Sequence, residues 1–584
     1  MCCYLFIIKI RYCFIVDFHQ RDPIKVPPVW SKVYTVKGIL TIPYAELREP
    51  FYAWYDEPNS VSRIDYYGGM VKTYQVGPSG DYKFGSSFKI APVTTEKQLN
   101  QQTCLQVNGS DETTVGVQSI LPDLTGFEYY GMQVDEFTFG EKTNKYTIWI
   151  KYRRPSGEIS DPLPIPVRYE MRGFNSLLGS HYDHYYLDYD EYSVDDISKD
   201  VFIPDTKLPC VNFPGPGLKH LYTFNPMMEF VHPAHTEHVE DEFNRFTGKH
   251  KKHYKHSKEH AQRKEIFRQN LRYINSLNRA NKGFTLTVNH LADRSDKERA
   301  YLRGRQFSQL DNGASPFPYN AGHLESLKAA VPNEWDWRLQ GAVTPVKDQS
   351  VCGSCWSFGT IGTVEGALFL KNGGHLKRLS QQVLIDCSWG FGNNGCDGGE
   401  DFRSYQWIMK HGGVPLEDEY GGYLGQDGYC HSENVTLLAP ITGYVNVTAN
   451  NPDALRLAIF KHGPISVAID ASQKTFSFYS NGVYYDPKCH NKIDELDHAV
   501  LAVGYGTLNG EDYWLIKNSW SNYWGNDGYI LMSAKNNNCG VETTPTYHPE
   551  ISITRVLKLP NNNVRVKDIL IFYSSPPKQI VVLF

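Results

Sequence analysis

Two kinds of hydrophobic pattern divide the chain, one typical of strands and one typical of helices. Between residues 30 and 225, β-branched and aromatic residues recur in short runs such as 33–42 and 146–152, a composition that favours strands. Turn-forming residues, such as Gly68, Gly69 and Pro164, punctuate these segments. We therefore predict an antiparallel β-rich domain over residues 30–225, folded as a curved sheet or half-barrel.

Such a sheet allows two functions, and the sequence leaves both open. It could shelter an apolar ligand, in the manner of lipoprotein-carrier half-barrels, or it could fill its interior with its own side chains and act as a docking surface. We favour the filled core, because small barrels are often packed with side chains. Cys104 and Cys210 are the only cysteines of residues 30–225 and could pair, which the sequence does not decide.

From residue 232 the spacing changes to that of helices. Six positions between residues 259 and 278 are three or four residues apart, so they would lie on one stripe of a long helix. A second run, from Trp356 to Leu370, has apolar positions at helical spacing and few helix breakers, which places Cys355 near a helix N-terminus. The six positions of the first stripe are Glu259, Arg263, Phe267, Asn270, Ile274 and Asn278.

Length and composition limit the possible functions. At 584 residues the chain is too long for one core and suggests about three to four domains. The net charge of -5 is small for this length and gives no indication of nucleic-acid binding. Seven of the twelve cysteines follow residue 350. Without Cys355 six remain, an even number that allows fifteen pairings.

The candidate chemistry centres on Cys355, with His498 and Asn518 far downstream. Hydrolysis of an amide by a cysteine requires the thiolate. The N-terminus of a helix favours an anion, and an imidazolium from His498 would help to lower the thiol pKa to roughly 3.5–7.5. His498 would then act as general acid and base, while Asn518 orients the imidazole and Trp520 keeps water off that contact.

These residues and the run Cys352-Gly-Ser-Cys355-Trp resemble the papain and cathepsin L family of cysteine proteases. The resemblance implies an α+β fold: a papain-like domain over residues 331–548, with a helical lobe that contains Cys355 and a β-barrel lobe that contains His498. It implies oxyanion donors at the Gln349 side chain and the Cys355 backbone N–H. It implies neither a metal nor a cofactor.

The same resemblance assigns the substrate cleft. Gly398 and Gly399 would pair with the substrate backbone, and a medium, mostly apolar pocket would take an aliphatic or aromatic side chain two residues before the scissile bond. Glu400 and Asp401 depart from the apolar residues usual in cathepsin L, so tolerance for basic or polar groups remains open. The pocket residues implied are Ala468, Leu496, Ala499 and Thr544.

Resemblance also implies the cysteine pairs Cys352–Cys396, Cys387–Cys430 and Cys489–Cys539. Disulfides indicate export through the secretory pathway, and the chain carries three sequons. We therefore expect a lysosomal or secreted glycoprotein. The candidate glycosylation sites are Asn108, Asn434 and Asn446.

Residues 232–330 resemble the inhibitory propeptide of cathepsin L-type enzymes. The helical stripe reproduces the family's long-helix motif, and a second motif keeps Asn289 and Asp293 but has Thr287 and Leu291 at its other positions. The resemblance implies that this segment packs on the enzyme and that its tail runs backwards through the cleft. Maturation is expected near 329–332.

Histidines crowd the same segment. They lie among lysines, and since histidine ordinarily gains its charge between pH 5 and 8, the cluster could trigger maturation on acidification. A solvated helix surface is an equal alternative, and metal binding is a minor one. The residues are His232, His235, His238, His250, His253, His256 and His260.

The ends of the chain are harder to interpret. Residues 1–29 form an apolar start interrupted by Lys9 and Arg11. This start is a poor signal peptide and is too short for a membrane span. Residues 549–584 form an extension without an assigned role.

The whole arrangement resembles the two-chain haemocyte cysteine proteinases of insects. We predict an endopeptidase made as a zymogen, with protein and peptide substrates, its own propeptide as inhibitor, and a front domain kept as a separate chain. A binding or lipid-carrier protein that acts through residues 30–225 is the alternative.

Overall fold

We describe a computed structural model of the chain. The described residues are 27–93, 100–111, 114–125, 127–130, 133–139, 142–153, 162–174, 182–204, 209–212, 226–231 and 237–548. The predicted leader falls outside these ranges apart from its last three residues, and the predicted C-terminal extension falls outside them entirely, as do His232 and His235. Below, residues 30–225, 232–330 and 331–548 are called the front, middle and rear segments.

The front segment forms a twelve-stranded sheet with the strand order β12-β6-β5-β4-β3-β2-β1-β11-β10-β9-β8-β7. Neighbours are antiparallel, except that β12 runs parallel to β6. The predicted runs are strands because their side chains alternate, and in β1 every second residue is buried along most of its length. The strands are β1 (Val33–Ile42), β2 (Leu47–Asp56), β3 (Val61–Tyr66), β4 (Val71–Val76), β5 (Ser86–Val93), β6 (Gln101–Asn108), β7 (Glu128–Tyr130), β8 (Gln133–Phe139), β9 (Lys142–Arg153), β10 (Leu163–Phe174), β11 (Tyr182–Ser193) and β12 (Val211–Asn212).

The middle segment consists mainly of helices, and a short helix precedes it. The stripe predicted from the sequence lies on the longest of them, α3, where Phe267 and Ile274 are buried. Helix α4 begins with a capping box formed by Ser295 and Glu298. The elements are α1 (Met227–Val231), α2 (Glu237–Lys249), α3 (Ser257–Arg279), β13 (Phe284–Leu286), α4 (Asp296–Ala300), β14 (Ser315–Pro316) and α5 (Ala321–Leu327).

The helices cover one face of the front sheet. The Tyr185 hydroxyl of β11 donates a hydrogen bond to the Phe230 carbonyl of α1 at 2.9 Å. A buried ion pair joins Glu49 of β2 to Arg279 of α3. Buried side chains of the front sheet and of α1 to α3 belong to one continuous hydrophobic core. This packing supports the filled core that the sequence favoured.

The rear segment has a helical lobe and a sheet lobe. Its ten-stranded sheet takes in β13 and β14, so the middle segment adds one strand at each edge. The helical lobe has its own core, to which Cys355 and Ala499 both belong. The helices are α6 (Cys355–Lys371), α7 (Gln382–Cys387), α8 (Asp401–His411), α9 (Glu417–Tyr420), α10 (Pro452–His462) and α11 (Lys474–Phe478). The strands are β15 (Trp335–Asp336), β16 (Val414–Pro415), β17 (Leu437–Leu438), β18 (Val445–Asn446), β19 (Ile465–Ile469), β20 (Tyr479–Tyr484), β21 (His498–Leu508), β22 (Glu511–Lys517), β23 (Tyr529–Ser533) and β24 (Thr546–Tyr547).

Four disulfides cross-link the described residues. One joins Cys104 in β6 to Cys210 beside β12, and so settles the pairing that the sequence left open. The three pairs implied by the family resemblance are also bonded: Cys352–Cys396, Cys387–Cys430 and Cys489–Cys539. Cys355 remains a free thiol. Within the described ranges no helix has both the length and the apolar character needed to cross a bilayer.

Candidate active site

The free thiol lies at the first residue of α6, where the two lobes meet. Its sulfur accepts a hydrogen bond from the Ala499 amide of β21 at 3.5 Å. The Cys352–Cys396 disulfide and a hydrogen bond from the Gly353 amide to the Cys396 carbonyl, 2.9 Å long, fix the loop before the helix. Cys355 therefore occupies the helix N-terminus that its sequence predicted, next to the strand that begins with His498.

His498 is held by a side chain from the neighbouring strand. Its Nε2 lies 2.8 Å from the Asn518 Oδ1, and the Trp520 ring packs against the imidazole with the ring centroids 4.9 Å apart. All three side chains are buried. The Nδ1 of His498 has no hydrogen-bond partner among the described residues, so this nitrogen is available for proton exchange.

Gln349 lies in the loop before Cys355, and its side chain is buried. Its Nε2 donates to the Leu302 carbonyl at 2.8 Å and to the Cys352 carbonyl at 2.9 Å. Its Oε1 accepts a hydrogen bond from the Ser519 hydroxyl at 2.6 Å, which fixes the orientation of the amide. Since Leu302 belongs to the middle segment, a carbonyl from that segment occupies the donor predicted for an oxyanion.

The part of the middle segment that follows α4 is called the tail. It runs through the cleft along the predicted substrate-binding edge. The Gly399 amide donates to the Gly304 carbonyl at 2.9 Å, and the Gln306 amide donates to the Gly399 carbonyl at 3.0 Å. Arg305 and Gly399 form a parallel bridge. Gly398 contacts this tail too, because a Cβ at Gly398 would lie 2.7 Å from the Gly304 carbonyl oxygen.

Coverage of the cleft by the tail changes the charges expected for Cys355 and His498. Burial raises the pKa of Cys355 to about 11, despite hydrogen bonds from the Ala499 and Gly304 amides that lower it. Burial lowers the pKa of His498 to about 4, opposed by its hydrogen bond to Asn518. The sequence analysis expected a thiolate and an imidazolium. In the covered form burial instead favours the neutral form of both groups.

One of the predicted pocket residues, Leu496, bonds a charged side chain of the tail. Ala468 and Ala499 are paired across β19 and β21, and both are buried. The Leu496 carbonyl accepts a hydrogen bond from the Arg305 guanidinium at 2.7 Å. Thr544 is half-buried two residues before Thr546. The sequence suggested an apolar occupant, and the structure places an arginine here.

The predicted stripe on α3 forms both an ion pair and hydrogen bonds. Arg263 forms a bidentate ion pair with Glu298 at 2.7 and 2.8 Å, and the Asn270 side chain donates to the Ala292 carbonyl at 2.8 Å. Asn278 exchanges two hydrogen bonds with Leu286, and Glu259 accepts one from the Lys255 amide. The stripe therefore holds α3 to the strand and loop that follow it.

The second motif connects the middle segment to the rear segment. The buried Asn289 side chain donates to the Ser477 carbonyl at 2.9 Å. Asp293 accepts hydrogen bonds from Lys252 and Tyr254, each 2.9 Å long. Sequence reasoning missed Lys252 and Tyr254 as partners, although both follow α2 closely, since nothing in their spacing indicates a partner forty residues away.

The histidine cluster is divided in the structure. His253 and His256 are exposed, whereas His238 is buried 3.6 Å from a Glu229 oxygen. His250 packs on Tyr523 of the rear segment with the ring centroids 4.8 Å apart, and beside it lies His290. The sequence analysis did not select His290 or Tyr523, because their proximity to His250 arises only from the fold.

The three sequon asparagines, Asn108, Asn434 and Asn446, are all exposed. The Asn446 side chain exchanges hydrogen bonds with Asn312 of the tail, at 2.9 and 3.1 Å. A glycan at Asn446 would therefore have to share this amide with the tail.

Comparison with known proteins identifies the class. A model of the papain family cysteine proteases matches residues 331–549, and a model of the cathepsin propeptide inhibitor domain matches residues 243–298. The chain is 43% identical over 296 residues to digestive cysteine proteinase 1 of Homarus americanus, covering 50% of this chain and 88% of that protein. The chain belongs to the papain family of cysteine proteases.

Within that family the chain is a cathepsin L-like protease with an inhibitor propeptide, and hence a zymogen. It is 41% identical over 300 residues to procathepsin L of Rattus norvegicus, covering 50% of this chain and 86% of that protein. A solved structure of the digestive procathepsin L2 proteinase from Tenebrio molitor larval midgut is 34% identical, covers 53% of this chain and 99% of its own, and has a TM-score of 0.49. The carrier alternative gains no support from these matches.

Proposed function

We propose that Cys355 is the nucleophile and His498 the general acid and base of this endopeptidase. The single observation that carries the proposal is the junction of the lobes, where the Cys355 sulfur adjoins the residue after His498, and Asn518 lies 2.8 Å from the imidazole. The family tells us the reaction class. The geometry supports this distribution of roles among the side chains.

The reaction begins when the proton of Cys355 moves to the free Nδ1 of His498. The thiolate attacks the substrate carbonyl carbon, and the resulting oxyanion accepts hydrogen bonds from the Gln349 side chain and the Cys355 amide. Loss of one such donor typically costs about 2.7–4 kcal/mol in the transition state. His498 then protonates the leaving amine, and a water molecule activated by the same imidazole releases the acyl group.

The propeptide blocks this sequence at three points, which supports its role as an inhibitor in cis. Leu302 accepts from the Gln349 donor, the Gly304 amide donates to the Cys355 sulfur, and Gly304 and Gln306 take the backbone hydrogen bonds of Gly399. Maturation near 329–332 is supported by exposure of the turn at Lys328–Ala330.

We further propose a lysosomal or secreted location and retention of the front segment beside the mature enzyme. Four disulfides favour passage through the secretory pathway. Exposed Asn108, Asn434 and Asn446 suit glycosylation. Side chains of the front sheet and of α3 are buried in one hydrophobic core, which favours a lasting association.

Acid activation of the purified full-length zymogen tests the proposal. An epoxide-type thiol-directed inhibitor should label one site per chain after activation, and mass analysis should place it on Cys355 and give the new chain ends. Cys355→Ser should abolish both labelling and peptide hydrolysis, while Asp418→Asn, an exposed position on the same lobe, should change neither. Hydrolysis by Cys355→Ser at the wild-type rate would refute the assignment.

A further inference from the structure

Arg305 is the propeptide residue that bridges the predicted substrate-binding edge at Gly399. The Gly399 backbone is bonded to the residues on either side of it, so Arg305 occupies the register that faces this substrate-binding edge. Its own amide donates to the Asp497 carbonyl at 3.0 Å. The guanidinium donates to two further backbone carbonyls, Leu496 at 2.7 Å and Ile493 at 3.1 Å.

Carboxylates of the rear segment lie within electrostatic range of this guanidinium. Asp401, Glu400 and Asp497 all act on its charge and oppose the lowering of the Arg305 pKa by burial. Asp401 lies at the start of α8 with its Oδ2 accepting a hydrogen bond from the Thr546 hydroxyl at 2.7 Å. Burial raises the pKa of Asp401, and the nearby Arg305 lowers it. The two groups thus stabilise each other's charged forms.

Removal of the propeptide leaves these acids with too few cations. Glu400 keeps an ion pair with Arg403 at 2.9 Å. Asp497 loses its partner, because Arg303, 3.1 Å away, leaves with the propeptide. Asp401 is left with the neutral Thr546 hydroxyl. The emptied pocket therefore loses the cations Arg303 and Arg305, while the carboxyl groups and the Leu496 and Ile493 carbonyls remain.

The walls of the pocket suit the stem of a long cationic side chain. Ala468 and Ala499 are small, Leu496 is apolar, and all three side chains are buried. Arginine and lysine bury their methylene stems along such surfaces and place their charge at the far end. A branched apolar side chain would leave the Leu496 and Ile493 carbonyls without the donors that Arg305 supplies.

We propose that the mature protease selects a basic residue, arginine above all, two positions before the scissile bond, and that Asp401 is the residue that determines this preference. The proposal rests on the proposed function and adds its substrate class. Arginine is favoured over lysine because its guanidinium donates to the Leu496 and Ile493 carbonyls together and keeps further N–H donors on the same planar group.

Fluorogenic peptides test the proposal on the acid-activated full-length chain. The peptides differ only at the second position before the scissile bond, which carries arginine, its neutral isostere citrulline, or leucine, and glutamine precedes the scissile bond in all of them. We expect kcat/KM for arginine to exceed that for citrulline by about tenfold to a hundredfold, as hydrogen bonds to charged groups predict. Asp401→Asn should remove most of this ratio and leave the leucine peptide unchanged, whereas Asp418→Asn should change neither.

Each outcome decides the question. An arginine-to-citrulline ratio of threefold or less in the wild-type enzyme overturns the proposal, and this measurement remains if Asp401→Asn does not fold. A high ratio that survives in Asp401→Asn overturns the assignment to Asp401. Hydrolysis of leucine peptides alone refutes only the preference, while absence of both hydrolysis and inhibitor labelling refutes the proposed function itself.

Discussion

At the scale of single residues, the inhibited state depends on a glycine with no room for a side chain. A Cβ on Gly304 would lie 1.8 Å from the carbonyl oxygen of Gly353, which is backbone on the loop before Cys355. Neither backbone can move without disturbing the disulfide loop or the pairing with Gly399. Gly304 therefore permits the tail to pass over the sulfur.

We predict that Gly304→Ala makes the zymogen leak. Overpacking of this kind costs about 1–3 kcal/mol, so the open fraction should rise about fivefold or more. The measurement is the rate at which the epoxide inhibitor labels the unprocessed zymogen at neutral pH. Gly248→Ala is the matched control, since a Cβ at Gly248 in α2 meets open space, and equal labelling of the two variants would contradict the prediction.

At the scale of elements, the contact of α2 and the second propeptide motif with the enzyme is sensitive to pH. His250 and His290 lie beside Tyr523. Burial lowers the pKa of His250 to about 4 and that of His290 to about 3. Lys249, Lys252 and Arg294 lower these values further, and Asp293 opposes the shift at His250.

These pKa shifts determine whether docking of the propeptide weakens or strengthens as the pH falls. Docked histidines stay neutral, while released histidines take up protons below about pH 6.5, so docking stability is complete above that pH and declines as the pH falls towards about 4. We predict that His250→Gln with His290→Gln lowers the pH midpoint of activation by about half a unit or more.

The midpoint is read from inhibitor labelling after a fixed time at each pH. His253→Gln with His256→Gln is the control pair, because both side chains are exposed in the same segment. A midpoint that moves equally in both double variants would indicate a general charge effect on the helix. It would remove the specific role of the contact with Tyr523.

The same elements show how far the sequence could lead. Local spacing identified α3 and the position of Cys355 at the start of α6, because amphipathic periodicity and motif order are carried by neighbouring residues. The family resemblance gave three cysteine pairs and the cleft glycines. Neither could find His290 near Tyr523 or Arg305 on the Leu496 carbonyl, since such contacts depend on how separate elements pack. Nor could the sequence foresee that burial in the covered form favours the neutral form of Cys355.

At the scale of the whole molecule, the front sheet is attached chiefly to the propeptide. The Glu49 carboxylate accepts hydrogen bonds from Ser276 at 2.9 Å and from Arg279 at 2.8 Å, and both members of the ion pair are at most 4% exposed. Glu46 and Lys488 join the front sheet to the protease directly, but both side chains are more than 60% exposed, and such pairs contribute little. Retention of the front segment should therefore depend on α3.

We predict that Arg279→Ala loosens this attachment. It leaves the Glu49 carboxylate buried without its partner, which typically costs 3–5 kcal/mol. We expect about 3 kcal/mol, because Lys89 lies close enough for Glu49 to raise its pKa against the effect of burial and can partly compensate. The measurement is urea unfolding of the full chain in a Cys355→Ser background, where self-cleavage cannot occur.

Two further variants separate the buried charge from the loss of a side chain. Arg245→Ala removes an arginine from α2 whose ion pair with Glu242 is partly exposed, and it should change the free energy of unfolding by less than about 0.5 kcal/mol. Glu49→Gln combined with Arg279→Met removes both charges and should recover most of the loss. If the double variant is no more stable than Arg279→Ala, packing and not charge holds the front sheet on α3. The front segment would then stay on the propeptide whatever the state of this ion pair.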